Sequence, residues 1–403
     1  MAKNLKSYEK IVGKDIINEI HIRSEKLSKK NIVCINSTYQ GGGVAEILNS
    51  LVFLFNEVGI NFGWRILHGS PDFFTITKKF HNALQGEKIN LSARKRNVYL
   101  ELNRRFSTYT HLKHDLVIVH DPQPLPLINY YQKTQPWIYR CHIDISTPNP
   151  LIWNYLRPFI EKYDRLVISK EDYVKHDLKI PQSIIQPAID PISPKNEALS
   201  EQTIKKYLNK HGVTLDKPII SQISRFDKWK CPTEVIEIFE QVRKKTDCQL
   251  VLLGSFASDD PEGQKIFEKV VKKVEKSKHR PDIKLLLIES DILVNALQRA
   301  SSVVIQKSSK EGFGLVVSEA LYKGTPVVAS KVGGIPLQVI NGVNGYLHNP
   351  DDIKGFADST IKLLKDEKLR QVFGQNGKQH VINNFLITKL MLDWLNIFER
   401  YLG

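Results

Sequence analysis

The feature that most restricts the fold is an alternation that runs twice along the chain, in which short apolar runs of strand length give way to stretches with helical spacing. The first series opens with NIVCIN (31–36), which enters a polar, glycine-rich loop, STYQGGG. VAEILNSLVFLFNEVG then places Val44, Ile47, Leu48, Leu51, Leu54 and Phe55 at helical intervals, and Gly59 closes the helix as a C-cap. Further strand-like runs stand at INFGWRIL (60–67), DLVIVH (115–120), WIYRCHI (137–143) and RLVIS (165–169), with helical patterns between most of them. Such alternation calls for a parallel sheet covered by helices on both faces. Between Asp190 and Pro218 the composition turns polar and proline-rich with one short helical pattern, which reads as a domain junction. The second series follows: PIISQIS (218–224), a helix in CPTEVIEIFEQVRKK, CQLVLLGS (248–255), IKLLLI (283–288), a helix in DILVNALQRA, SVVIQ (302–306) and PVVAS (326–330). The expected architecture is α/β, with two doubly wound domains and a cleft between them. Residues 1–195 form the first domain with a helical N-terminal extension, 196–217 a linker, and 218–385 the second domain. The helical stretch at the end, with 386–403 as its last helix, packs back toward the first domain.

Length supports two cores, because 403 residues exceed the roughly 250–300 at which a single core stops growing. The N-terminal segment MAKNLKSYEKIVGKD is charged throughout and lacks the apolar core of a signal peptide, and no apolar run nears the about 20 residues that span a bilayer. A cytoplasmic protein is expected. Cys34, Cys141, Cys231 and Cys248 are far apart without Cys-x-x-Cys spacing, which writes neither a zinc ribbon nor a redox dithiol. The formal charge of +15 comes from lysines spread along the chain, densest at KSKHR (276–280), with no basic tail or aromatic-interleaved RNA motif. It reads mainly as solvated surface rather than a nucleic-acid footprint.

In doubly wound sheets ligands sit beyond the carboxyl ends of the strands, so the loops after strands hold the candidates. EGFGLVVSE (311–319) follows SVVIQ, and its glycines lie where a loop hands over to a helix. Backbone amides there carry partial positive charge, and glycine lets an anion such as a diphosphate approach closely. Glu311 is placed to hold a hydroxyl-bearing group beside that anion, and Glu319, further into the helix, can reach a second polyol such as a ribose. Spacing alone equally fits a solvated Glu311 and an exposed Glu319. SRFDKWK (224–230) brings Arg225 and Lys230 to the end of another strand, a fork and a point charge suited to a diphosphate that gains negative charge as it leaves. A surface pair is the alternative. Gly41, Gly42 and Gly43 precede a helix without the full dinucleotide fingerprint, which leaves a ligand-approaching loop and a plain tight turn both open. YRCHID and HDPQP (120–124) put His142 and Asp144 at one strand end and a second polar group at another, either as packed residues or as ligand contacts. There is no Walker A sequence, no His-Glu-x-x-His helix and no Asp-x-Asp pair for a divalent metal on a nucleotide-sugar. Diphosphate chemistry here would rest on Arg225 and Lys230, with no metal and no cofactor required.

Taken together, EGFG-x4-E after a strand, the R-x4-K of SRFDKWK, the glycine-rich first loop and GTPVVASKVGGIP (324–336) resemble the retaining glycosyltransferases of family four, whose GT-B fold has two Rossmann-like domains. NSTYQGGGVAEIL, FHNALQG (80–86), VHDPQP, YRCHIDIS, QISRFDKWK, DDPEG (259–263) and NALQRAS (295–301) narrow the resemblance to the trehalose glycosyltransferring synthases, over nearly the whole chain. The resemblance implies reversible formation of α,α-trehalose from a nucleoside-diphosphate glucose, such as UDP-glucose or ADP-glucose, and free glucose. It makes the first domain the acceptor side and the second the nucleotide-sugar side. Arg225 and Lys230 would bind the diphosphate, Glu311 the donor glucose, and Glu319 the ribose. Gly312, Phe313, Gly314 and the adjoining Leu315 would contact donor sugar and phosphate. His142 would line the donor glucose, Gly41, Gly42 and Gly43 would close over the reacting centre, and Asp121 and Gln123 would meet the acceptor glucose. The partners implied are small sugars and nucleotides, with no membrane, and a homodimer is compatible. Two features depart from the pattern: Cys231 stands where the family has glycine, and IKLLLIESDILVNALQRAS is short and apolar around the nucleotide base. Two other functions remain on the sequence: a retaining trehalose phosphorylase using inorganic phosphate, and a basic nucleic-acid-binding protein on a degenerate transferase fold.

Overall fold

The computed structural model describes residues 4–40, 42–255 and 263–403. Gly41 and residues 259–262 of the DDPEG motif lie outside the described residues. The chain divides into two compact units, the first holding residues up to 188 together with 387–403, and the second the described residues from 189 to 386.

The first unit is built on six parallel strands, β1 (Asn31–Asn36), β2 (Asn61–Ile66), β3 (Leu116–His120), β4 (Trp137–Arg140), β5 (Arg165–Ile168) and β6 (Gln182–Ile184), in the order β2-β1-β3-β4-β5-β6. Cys34 is level with Trp64 on one side and Ile118 on the other, so β1 is a central strand. Its alternate residues Val33 and Ile35 join Val117, Val119, Phe73, Phe80 and Tyr99 in one core cluster. The aromatic residues come from the helices Pro71–Leu84 and Ala93–Ser107. The first of these starts where it does because Ser70 accepts a hydrogen bond from the Phe73 amide and Pro71, which needs no amide partner, fills the first helical position. The helix Gly43–Glu57 supplies Phe55, whose ring stacks on Phe62 of β2 at 5.0 Å.

The last helix, Ile387–Leu402, belongs to this first unit. Phe398 packs 5.4 Å from the Phe55 ring, and Arg23 donates to Glu399 through Nε and Nη2 at 2.9 and 2.8 Å. Burial of a large apolar side chain such as Phe398 contributes about 1.5–3 kcal/mol, which outweighs what a part-exposed ion pair adds.

The second unit repeats the plan with β7 (Ile219–Ile223), β8 (Gln249–Gly254), β9 (Ile283–Leu287), β10 (Ser301–Gln306), β11 (Val327–Ser330) and β12 (Gly345–His348), all parallel, in the order β12-β11-β10-β7-β8-β9. Residues 196–217 contain the helix Glu201–Lys210, whose Leu208 packs with Val213, Ile219 and Leu297 in this unit's core. Two strands escape a search for apolar runs, β6 and β12. Both are short edge strands whose residues are partly exposed and only partly apolar.

All four cysteines are free thiols and buried. No helix among the described residues is long and apolar enough to cross a membrane.

Candidate functional site

Each sheet reverses its direction of growth once. In the second, the chain lays down β7, β8 and β9 in one direction, then returns to place β10 on the other side of β7. Val304 of β10 is level with Ser221 of β7, so the carboxyl ends of these strands are neighbours at the switch point. That geometry gathers the charged residues. Arg225 and Lys230 leave the end of β7, Glu311 leaves the end of β10, and Lys230 Nζ donates to Glu311 Oε2. Only 10% of the Glu311 side chain is exposed, which excludes a solvated loop residue. Gln306, the last residue of β10, also donates to Glu311 Oε2 at 3.1 Å.

The loops carrying these groups are fixed by further hydrogen bonds. Gln222 Nε2 donates to the Lys230 carbonyl at 2.7 Å, and the Ser309 amide donates to the Trp229 carbonyl at 2.9 Å, which ties the two loops together. Arg225 is half-buried, and its guanidinium has no protein partner among the described residues. The paired cation and the unpaired one thus differ in what they can still bind.

Gly314 precedes the helix Leu315–Tyr322 at φ +83°, a left-handed conformation that an L side chain takes only at a cost. A Cβ there would also stand 3.2 Å from Glu311 Cγ. Glycine keeps both the turn and the place of the acid. Gly312 accepts from the Gly334 amide at 3.2 Å, and a Cβ on Gly334 would come within 2.8 Å of Phe313 Cα, so the GTPVVASKVGGIP segment sits directly against this loop. Phe313 is buried and its carbonyl accepts from Gln338 Nε2 at 2.6 Å. Leu315 opens the helix, whose first amides carry the partial positive charge of a helix start. Glu319 is buried at 4% exposure and accepts from Gln298 Nε2 at 3.2 Å, which excludes an exposed helix acid.

The first sheet has its own switch point, since β2 lies on one side of β1 and β3 on the other. Beyond the end of β1, Gly42 caps the helix Gly43–Glu57 without any side-chain hydrogen bond, and Gly41 lies outside the described residues. At the ends of β3 and β4, His120 is level with Arg140. His120 Nδ1 and His142 Nε2 share a hydrogen bond of 3.0 Å, their rings stacked at 12°. Asp121 adopts φ 62°, and its Oδ1 accepts from the His142 amide at 2.8 Å. Arg140 is buried and donates Nη2 to Ser169 Oγ at 3.1 Å. Gln123 contributes its carbonyl to Asn103 at 3.0 Å, and Asp144 accepts from the Ser146 amide and hydroxyl.

Burial sets the electrostatics of this second cluster. Desolvation, with the Arg140 charge adding to it, pushes His120 down to about 3 and His142 well below the ordinary imidazole range. Burial pushes the Asp121 carboxyl up to about 6, against the opposing effects of the His142 amide and Arg140. The Arg140 guanidinium falls to about 10 by burial. The histidines are therefore neutral near neutral pH and act as hydrogen-bonding groups rather than cations.

Residues expected together in the second unit, Lys230, Glu311 and the Gly312–Leu315 segment, are brought to one strand-end cluster, with Arg225 on the same loop as Lys230 and Glu319 about one turn along the helix. In the first unit His142 and Asp121 are joined directly. Sequence reading singled out neither Arg140 nor the glutamines Gln306, Gln298 and Gln338. Their signal is present in retrospect: a charged or amide residue ending an otherwise apolar strand or lying on a buried helix face. Among the described residues no group of three or more His, Cys, Asp or Glu is arranged to hold a metal ion.

Comparison with known proteins adds a separate line. Residues 34–175 match the family model for the trehalose synthase N-terminal domain, and 203–380 match that for glycosyl transferases group 1. A trehalose synthase of Thermococcus litoralis is 44% identical over 99% of this chain and 98% of its own, and one of Rubrobacter xylanophilus is 42% identical over 100% and 98%. A trehalose phosphorylase of Grifola frondosa is 29% identical over 100% of this chain but 62% of its own length. In fold, the chain is similar to an α,α-trehalose 6-phosphate synthase of Burkholderia multivorans, with a TM-score of 0.74 at 16% identity over 92% of this chain and 98% of that one.

Proposed function

The chain belongs to the trehalose synthase family and is a glycosyltransferase of GT-B fold, and from that premise we propose that it is a retaining glucosyltransferase joining the anomeric carbon of a nucleoside-diphosphate glucose to free glucose, reversibly. One observation carries the reading most: a lysine and a glutamate from two different strand ends are in contact at the switch point of the second sheet, with Arg225 on the lysine's loop and a glycine-opened helix following the glutamate.

In this reading the second domain, 218–385, takes the nucleotide-sugar and the first, 1–195, the acceptor. Arg225 and Lys230 hold the diphosphate and stabilise the charge it gains on leaving. The ammonium of Lys230 has three donors, so it can keep Glu311 and still reach a phosphate oxygen. Glu311, held by Lys230 and Gln306, accepts hydrogen bonds from donor hydroxyls, and the amides from Gly312 to Leu315 meet sugar and phosphate. Glu319 accepts from the ribose in addition to Gln298. His142 lines the donor glucose, Asp121 and Gln123 the acceptor, and Gly42 and Gly43 serve to close over the reacting centre. The bond from C1 to the diphosphate oxygen breaks while the acceptor oxygen bonds C1 on the same face, and its proton passes to the departing phosphate oxygen. Positioning and preorganised charge supply most of the barrier reduction. No cofactor is required, and the cations serving the leaving group are side chains. Activity in a chelator should therefore match that without it; complete loss in EDTA with recovery in magnesium would contradict this.

Incubation with trehalose and, separately, UDP, ADP, GDP or inorganic phosphate tests the whole reading. A nucleoside-diphosphate glucose formed only with a nucleoside diphosphate is the expected product. Glucose 1-phosphate from phosphate alone would instead make the chain a phosphorylase, the activity named for the 29% identical Grifola frondosa relative. Absence of any sugar transfer with tight, steeply salt-dependent binding of generic DNA or RNA would move the +15 charge from surface to function.

A further inference from the structure

The stacked pair at the ends of β3 and β4 leaves one question open that the proposed contacts do not answer: which nitrogen of His142 carries its proton. His142 Nε2 and His120 Nδ1 are 3.0 Å apart, so one hydrogen lies between them. Both rings are neutral near neutral pH, and each therefore holds a single N–H.

Two arrangements satisfy that count. If His142 Nε2 carries the hydrogen, His120 Nδ1 is the bare acceptor and the His120 proton must sit on Nε2. His120 Nε2 is buried and has no hydrogen-bond partner among the described residues. The result is a buried donor with nothing to donate to among the described residues, on a strand residue level with Arg140, whose own Nη1 is buried and likewise unpartnered among them. Two unsatisfied buried donors then stand on paired positions of neighbouring strands. If His120 Nδ1 carries the hydrogen, His120 Nε2 is a bare lone pair on a ring that feels the Arg140 charge, which favours a lone pair over an N–H. An orphaned buried N–H is the rarer and costlier defect, so the second arrangement prevails. The second ring nitrogen of His142, Nδ1, has no hydrogen-bond partner among the described residues, and the side chain is half-buried rather than sealed.

We propose that His120 is a positioning residue which, by donating from Nδ1, fixes the proton of His142 on its own Nδ1, so that His142 offers a sugar oxygen a hydrogen-bond donor. The part of this concerning sugar rests on the function proposed above; the proton assignment does not. Asp121 supports the same outcome by holding the His142 backbone amide at 2.8 Å, so ring and backbone are both anchored.

Long-range proton–nitrogen spectra of the full chain labelled with 15N-histidine test the assignment directly. Among 12 histidines the two signals of interest are identified by their loss in His142→Gln and His120→Asn. Protonated Nδ1 on both rings is the expected result. Protonated Nε2 on His142 would overturn the proposal. Kinetics then test the positioning role. His120→Leu removes the donor and should lower kcat/KM for glucosyl transfer by at least about tenfold, the scale of one misdirected hydrogen bond. His120→Asn places an amide N–H close to the lost Nδ1–H and should recover most of that. Equal losses in the two variants, or none in either, would reject the role. The unsubstituted chain's spectra decide the proton position even where His120→Leu does not fold. They also decide it where no sugar is transferred, which keeps failure of this assignment distinct from failure of the proposed function.

Discussion

The two switch points solve the same task, presenting polar groups at strand ends, by opposite means. At the ends of β7 and β10, Lys230 and Glu311 oppose each other in contact and further hydrogen bonds from Gln306 and Gln222 lock the loops. At the ends of β3 and β4, desolvation keeps His120 and His142 neutral and raises the acid beside them to about 6. The difference follows from burial. An opposed pair tolerates partial burial because each charge compensates the other, whereas an imidazole with no carboxylate partner on its ring nitrogens responds to burial by staying uncharged. Paired charge suits an anionic ligand; neutral donors and acceptors suit hydroxyls.

Removing the charges has the largest expected effect. Lys230→Ala and Glu311→Ala should each lower turnover at least about a hundredfold, the scale of one lost electrostatic contact to a transition state. Near-normal rates in either would remove its proposed role. Because Lys230→Ala also leaves a largely buried carboxylate without its cation, it should be the less stable of the two in urea. The double variant should recover part of that stability, and a double-mutant cycle measures how much.

A smaller effect distinguishes the neutral cluster. Asp121 has a folded pKa of about 6 against an ordinary 3.8, so the folded chain holds this proton more tightly than the unfolded chain does. Its contribution is most favourable below the lower value and is lost as pH rises through about 6, a change of roughly 1–3 kcal/mol. Asp121→Asn keeps an oxygen for the His142 amide and should melt above the unsubstituted chain at about pH 7.5, with the gap closing near pH 4. A gap that grows on acidification would mean the carboxylate is stabilised, not strained, in the fold.

The smallest expected change is at Cys231, next to Lys230. It sits at φ 45° with its thiol buried, a conformation that costs an L residue about 1–2 kcal/mol. Cys231→Gly should relieve this at the expense of chain entropy and the thiol's packing, for a net gain of about 1 kcal/mol or less by denaturant titration. A clear loss would show that the buried sulfur contributes more than the strain costs.

Much of the fold was legible because the sheets are parallel and buried. NIVCIN, LVIVH, QLVLLG and SVVIQ read as strands since both of their faces meet helices, and apolar runs record that directly. QSI and GYLH did not, because edge strands of three and four residues need no such run. In the site, the types and spacing of Arg225, Lys230, Glu311 and Glu319 were visible as motifs. Whether Glu311 and Glu319 were solvated was not, since exposure depends on Gln306 and Gln298, residues 5 and 21 positions away.

Two βαβ series, the glycine turns that end their strands and the acids and bases that follow are readable from the order of residues, because local periodicity and the backbone demands of turns are written residue by residue. Which of those groups meet follows from the folded packing. Strand order places the end of β7 beside that of β10, and the end of β3 beside that of β4, although some 80 and 20 residues separate the partners Lys230 with Glu311 and His120 with His142. Contact between distant residues, and the loss of water that sets their charge, are properties of packing, and no local pattern encodes them.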